Sequence, residues 1–281
     1  MFQRKTVLVQ LMGGLGNQLF QIAAGLYVSS NLGYKLELDT NFYKKHKAHD
    51  GFCVDKLLYL SDIREGRKRV LFRKRIHESG FHDQLQRLLA AEIDQPSFRG
   101  LNLRGYWQTA YTAAASRREM LARLHMKRTA EKIDESHVCF IHVRRGDFFT
   151  PANRKLYDVI PENYYHEAVL FMLERGPNTV FRVFSDDFDY AQKFIRNLPI
   201  ATYQLEKTGG SLEDFDKMRQ CNRGICANSS FSWWAAYLME QKSVVVMPKR
   251  WDNISPGTAH HRWPENTREV SSVAVAFGEG N

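Results

Sequence analysis

Two adjacent arginines followed by a glycine and an acid, in HVRRGDF from His142 to Phe148, carry the strongest chemical signal in the chain. A guanidinium keeps its charge at neutral pH, and its planar fork of N–H donors matches two oxygens of a phosphate. The segment leaves VCFI, Val138 to Ile141, a continuous apolar run of the kind buried in parallel sheets. Ligands of such sheets lie outside the carboxyl ends of the strands, which is where Arg144 and Arg145 fall. While the chain stays extended, His142, Arg144 and Asp147 alternate with Val143 and Arg145, and Gly146 permits a turn, so the two arginines point different ways. Taken alone, the segment also fits an Arg–Asp salt bridge among surface charges.

Three further segments meet the same test of following a strand. GGLGNQ follows TVLVQLM, Thr6 to Met12, and resembles an incomplete dinucleotide fingerprint: Gly14 and Gly16 are present, but Leu19 stands where the third glycine belongs, which disfavours a nicotinamide cofactor. Its glycines allow close approach of backbone to a ligand, and Asn17 and Gln18 offer hydrogen bonds suited to a sugar or phosphate. A tight turn capped by Asn17 is the plain structural reading.

FSDDFD, Phe184 to Asp189, reads in three ways. Asp187 and Asp189 could be a D-x-D metal clasp, Asp186 or Asp187 could accept from the N1–H and N2–H₂ donors of guanine, or one of them could cap a helix. With two arginines already present to neutralise a diphosphate, guanine recognition or capping is preferred over metal. In ANSSFSWWAAYL, Ala227 to Leu238, Ser229 and Ser230 with Ser232 can donate hydroxyl hydrogen bonds at a helix start, while Trp233 and Trp234 read as packing residues.

The elements that must position these groups alternate along the chain. A strand, glycine turn and helix (Leu19 to Gly33) lead into the strand KLELD, Lys35 to Asp39, which predicts a β-α-β start with a parallel sheet. From 41 to 99 the periodicity is weak, and helices and long loops are expected. A strand or loop at Leu103 to Trp107 and an Ala-rich helix follow. From HVCFIHV onward, strands and helices alternate through SVVVMP, Ser243 to Pro248, with Pro161 in a first turn, Asp186 or Asp187 as an N-cap, and Ser211 with Asp214 as a capping box. The expected division is an N-terminal Rossmann-like domain over 1–132 and a C-terminal one over 133–281, with a tail free to pack back on the first.

The 281 residues, 43% hydrophobic and 25% charged, suit a folded protein. The formal charge of +9 favours an anionic partner. Much of it lies between Arg64 and Arg75, which reads as a solvated helix face or as a peripheral contact with an anionic membrane. No nucleic-acid-binding motif accompanies it, so no nucleic acid partner is expected. The start lacks a signal-peptide apolar region and no stretch reaches the roughly 20 apolar residues of a membrane span. A cytoplasmic protein, peripheral at most at the inner membrane face, is expected. Cys53, Cys139, Cys221 and Cys226 form no C-x-x-C pair, so buried reduced thiols are expected.

GGLGNQLFQIAAG, HVRRGDF, FSDD and NSSFSWWAAYL, in this order, resemble the α-1,2-fucosyltransferases of glycosyltransferase family 11. The resemblance implies an α/β, GT-B-like fold with two Rossmann-like, doubly wound domains facing across a cleft, the first on the acceptor side and the second binding GDP-β-L-fucose as donor, and neither cofactor nor metal. It implies inverting transfer to the 2-hydroxyl of a terminal galactose on an oligosaccharide, free or lipid-linked. Arg144 would then meet the β-phosphate, with Arg145 and Asp147 supporting the loop or donor. His142 and Asp186 or Asp187 would contact guanine, Ser229, Ser230 and Phe231 would close around the phosphates, and Asn17 would meet phosphate or fucose. Phe148 stands where many relatives carry Tyr. The proton acceptor stays unassigned. Two rivals are a metal-dependent transferase built on Asp187 and Asp189, and a non-catalytic basic glycan- or nucleic-acid-binding protein.

Overall fold

A computed structural model describes residues 5–46, 50–65, 74–79, 83–97, 99–125, 137–146, 150, 160–207, 209–239, 244–251, 267–270 and 273–277. The chain divides into two compact units, Met1–Lys127 and Arg128–Asn281. Each is an α/β unit built on its own sheet.

In the first unit, β1 (Thr6–Gln10), β2 (Lys35–Asp39), β3 (Arg64–Glu65), β4 (Lys74–His77) and β5 (Gly100–Arg104) form a sheet in the order β3-β2-β1-β5-β4. All its pairings are parallel. The helices α1 (Leu15–Leu32), α2 (Asn41–Lys45), α3 (Gln84–Asp94) and α4 (Ala110–Ala122) connect or follow the strands. Helix α1 starts four residues before its expected position and takes in the LGNQ part of the glycine segment. It packs closely on the sheet because Gly25 has no side chain: a Cβ there would collide with Val9 and Leu36. The expected Arg64 to Arg75 helix face is corrected at both described ends, since Arg64 lies in β3, and Lys74 and Arg75 in β4, the two edge strands. Residues 66–73 between them lie outside the described residues.

The second unit holds β6 (Val138–Val143), β7 (Val180–Ser185), β8 (Tyr203–Leu205), β9 (Arg223–Ile225), β10 (Val244–Pro248), β11 (Thr267–Val270) and β12 (Val273–Phe277), ordered β11-β12-β10-β9-β6-β7-β8. The helices are α5 (Glu162–Arg175), α6 (Phe188–Phe194), α7 (Ser211–Gln220) and α8 (Ser230–Tyr237). Strand β6 is apolar but for His142 because both its faces are covered. Cys139, Ile141 and Val143 join a core with Tyr165, Val169 and Met172 of α5, while Phe140 and His142, with opposite parity, are also buried. Trp233 and Trp234 are fully buried, as packing residues should be.

In the described part of the C-terminal segment, β12 pairs antiparallel with β10 and with β11 and extends the second sheet. One expectation fails here. Ser211 is the first residue of α7, and its N-cap is Gly210 without a side-chain cap, so no capping box forms. The four cysteines are buried and outside any disulfide, and burial pushes the Cys53 thiol up to about 11. Among the described residues, no helix is long and apolar enough to cross a membrane.

Candidate active site

Strand order in the second sheet runs from β6 outward to β7 and β8 on one side and to β9 and β10 on the other. The carboxyl ends of β6 and β9 therefore flank the point where the order reverses, where open α/β sheets hold ligands. Three strand exits meet there. Arg144 Nη1 lies 2.6 Å from Asp186 Oδ2 at the β7 exit, and the Arg145 backbone N–H donates to Asp186 Oδ1 at 2.8 Å. The His142 ring lies 5.6 Å from that of Phe231, in the first turn of α8 after β9.

The two arginines diverge, as the alternation predicts. The Arg145 guanidinium stacks 3.5 Å from the centroid of Tyr190 and approaches Asp187 Oδ2 at 3.4 Å. Tyr190 in turn donates from its hydroxyl to Glu162 at 3.0 Å and stacks on Phe194. Arg145 thus braces the loop against α5 and α6, whereas Arg144 stays with Asp186 at the strand exit. Asp187 is the N-cap of α6, its Oδ1 accepting from the Tyr190 N–H at 3.1 Å. Asp186 and Asp187 therefore both have structural duties: one aims Arg144 and holds the loop backbone, the other caps a helix.

His142 is 5% exposed, and its Nδ1 is buried without a hydrogen-bond partner. Burial, reinforced by the Arg144 charge, pushes its pKa from 6.5 down to about 3. The folded chain thus holds the ring neutral, while the unfolded chain protonates it near 6.5. Between these values the unfolded state binds a proton that the folded state refuses, so stability falls as pH drops through that window. Urea melts at pH 7.5 and pH 5 should accordingly show a smaller acid-induced loss in His142→Gln than in the parent; equal losses would remove His142 from this account.

Ser229 is the N-cap of α8 and its Oγ accepts from the Phe231 N–H at 3.3 Å. Ser230 opens the helix, and Phe231 sits between the rings of His142 and Phe215. Ser232 instead is fully buried and donates to Ala227 and Ser229 carbonyls. Asp147 and Phe148 lie outside the described residues. The α8 N-terminus and Arg144 together supply positive potential at the β6 and β9 exits.

Within the GGLGNQ segment of the first unit, the glycine held at a left-handed φ is Gly13, at 78, and not Gly14 or Gly16. Gly14 is the N-cap of α1 with extended backbone, and Gly16 is buried in the helix. Gln18 turns inward. It is fully buried; its Nε2 donates to the Gly13 and Gly51 carbonyls at 3.2 and 2.8 Å, and its Oε1 accepts from the Cys53 and Val54 N–H groups at 3.3 and 3.1 Å. Asn17 lies at the rim, where its Oδ1 accepts from Gln108 Nε2 at 2.7 Å. Tyr43 and Gln21 were not singled out by motif. The Tyr43 hydroxyl donates to Gly13 O at 2.8 Å, and Gln21 joins the β1 and β5 exits.

A doubly wound sheet that presents an aimed arginine and a helix N-terminus at its order reversal belongs to the class of α/β proteins with phosphate-type sites at strand exits. The chain belongs to glycosyltransferase family 11, whose model matches residues 9–259. It is 26% identical to an alpha-1,2-colitosyltransferase of Escherichia coli over 87% of this chain and 92% of that one. It is 27% identical to the O-antigen biosynthesis glycosyltransferase WbnK of Escherichia coli, over 86% and 93%. In fold it is similar to NodZ alpha-1,6-fucosyltransferase soaked with GDP-fucose, with a TM-score of 0.53 and 13% identity over 90% of this chain and 97% of that one.

Proposed function

We propose that the chain is an inverting, metal-independent galactoside α-1,2-fucosyltransferase of GT-B architecture, taking L-fucose from GDP-β-L-fucose to the 2-hydroxyl of a terminal galactose in surface polysaccharide assembly. The observation that carries the reading is Arg144, set by Asp186 at the order reversal of a doubly wound sheet beside the α8 N-terminus. Membership of family 11 and the fold shared with a GDP-fucose-soaked transferase support the sugar nucleotide. The α-1,2-specific and O-antigen relatives support the linkage and the oligosaccharide acceptor.

As the bond from fucose C1 to the leaving phosphate stretches, negative charge grows on the β-phosphate and an oxocarbenium-like sugar forms. A guanidinium already fixed there binds this state better than the ground state. Attack by the acceptor oxygen from the opposite face inverts the anomeric carbon. The acceptor proton leaves with no dedicated base assigned. In this reading Arg145 positions the loop, His142 and Phe231 support the wall of the site, and the serines at 229 and 230 meet the phosphates.

A second reading is colitosyl transfer, favoured by the Escherichia coli colitosyltransferase, which matches over nearly its whole length. Colitose is fucose without its 3-hydroxyl, so both donors present the same diphosphate chemistry. Release of GDP from GDP-fucose and from GDP-colitose, measured with lactose as acceptor and EDTA present, separates the readings. Turnover of GDP-fucose to an α-1,2 product is expected. Turnover of GDP-colitose alone would favour the second reading, and dependence on added Mn²⁺ would revive a metal clasp at Asp187 and Asp189.

A further inference from the structure

The first sheet has its own order reversal, with β1 leading outward to β2 and β3 on one side and β5 and β4 on the other. The carboxyl ends of β1 and β5 lie together, and apart from Asn17, which the family resemblance sets against phosphate or fucose, the groups there have no part in the phosphate chemistry above. Three loops converge on this rim. Gln21 Nε2 donates to the Gly105 carbonyl at 3.2 Å and Gln21 Oε1 accepts from the Met12 N–H at 3.0 Å, which ties the β5 exit to the β1 exit. Gln108 Nε2 reaches Asn17 Oδ1 at 2.7 Å, and a Cβ on Gly13 would stand 3.3 Å from the Tyr106 ring. The β4 exit joins them: Glu78 Oε2 accepts from the Tyr106 N–H at 2.7 Å and the Glu78 N–H donates to the Arg104 carbonyl at 2.8 Å.

Trp107, in the middle of this rim, holds a left-handed φ of 55 while almost wholly buried. For a bulky residue that conformation costs on the order of 1–3 kcal/mol and persists only where surrounding structure enforces it, as it does at ligand sites. Here the Thr109 N–H donates to the Trp107 carbonyl at 2.8 Å, and Thr109 at once caps α4. The inward turn of Trp107 leaves its neighbour Tyr106 40% exposed, beside an exposed carboxylate and two side-chain amides.

We propose that Tyr106, Glu78 and Gln108, with Asn17, form the subsite for the acceptor sugar. A pyranose is apolar on one face and hydroxylated around its rim. Its C–H face would lie on the Tyr106 ring, its hydroxyls would donate to Glu78, and the amides of Gln108 and Asn17 would meet the remaining hydroxyl groups. The identification of that sugar as galactose rests on the fucosyl-transfer reading; the subsite itself does not.

Saturation-transfer NMR of the full chain with lactose, without donor, tests the subsite. The galactose protons should saturate in the parent and in Tyr106→Phe, but not in Tyr106→Ala. In turnover, Tyr106→Ala and Glu78→Gln should each raise the lactose KM about tenfold or more while the Kd for GDP alone stays within twofold. Glu78→Gln, an isosteric change at an exposed site, serves as the second variant should Tyr106→Ala fold poorly. Saturation that persists in Tyr106→Ala, no saturation in the parent, or an unchanged lactose KM in both variants overturns the proposal. A parent that binds lactose through Tyr106 yet never consumes GDP-fucose would leave the subsite standing and sink the donor assignment instead.

Discussion

Replacing Arg144 by alanine should lower turnover by roughly 100- to 1000-fold, or about 2.7–4 kcal/mol of transition-state stabilisation, the loss expected when one preorganised donor to a developing oxyanion is removed. The fold should tolerate the change, because Arg144 and Asp186 are both partly exposed and such pairs contribute about 0–1 kcal/mol. Arg144→Lys keeps a charge but loses the planar fork, so it should recover only part of the rate. Arg145→Ala gives the contrast. Its guanidinium stacks on Tyr190 and approaches Asp187, so its loss should reduce melting temperature and loosen the loop more than it damages the chemical step. Single-turnover rates with GDP-fucose and lactose, read beside calorimetric melts, separate the two. Activity of Arg144→Ala within a few-fold of the parent would sink the assignment of Arg144 to the leaving phosphate.

Local chemistry that is written in one stretch of chain was legible in the sequence. The apolar run of β6 could be read because both of its faces are buried, and the divergence of Arg144 and Arg145 followed from strand alternation. Asp187 as the α6 cap needed only its position after a strand and before a helix. What escaped was whatever depends on distant partners. Gln18 and its neighbour Asn17 share a motif, yet one is a buried strut and the other lies at the rim, a difference set by loops 33 and 91 residues away. The C-terminal hairpin escaped because β11 and β12 carry no helix-strand alternation and pair antiparallel. One signal lay in the chain itself: Gln18 and Gln21 lie three residues apart in the stretch from Gln18 to Leu26, which is otherwise apolar. Buried amides are hydrogen-bonded, so they announce loops that must come to them.

That signal makes Gln18 the residue whose loss should cost the first unit most. Gln18→Leu keeps the volume and the apolar setting but removes both halves of the amide. The Cys53 and Val54 N–H groups would be left buried without their acceptor, and the Gly13 and Gly51 carbonyls would lose their donor. Each buried group left unsatisfied costs about 1–3 kcal/mol, so a total on the order of 3 kcal/mol is a conservative sum after relaxation. With roughly 2–4 °C of melting temperature per kcal/mol, the transition of the first unit should fall by roughly 10 °C. The Tyr43 hydroxyl, whose pKa burial raises well above its usual value, would remain bonded to Gly13 and limit the collapse to the loop from 51 to 54. Gln21, one turn further along α1, still ties Met12 to Gly105, so the rim that carries Tyr106 should survive at temperatures below the transition. The expected pattern is therefore a large loss of stability with a small change in lactose KM at 20 °C. A melting temperature within 2 °C of the parent would show that Gln18 is not the strut its side-chain hydrogen bonds describe, and a tenfold rise in lactose KM at 20 °C would show that the loop it holds and the sugar rim move as one.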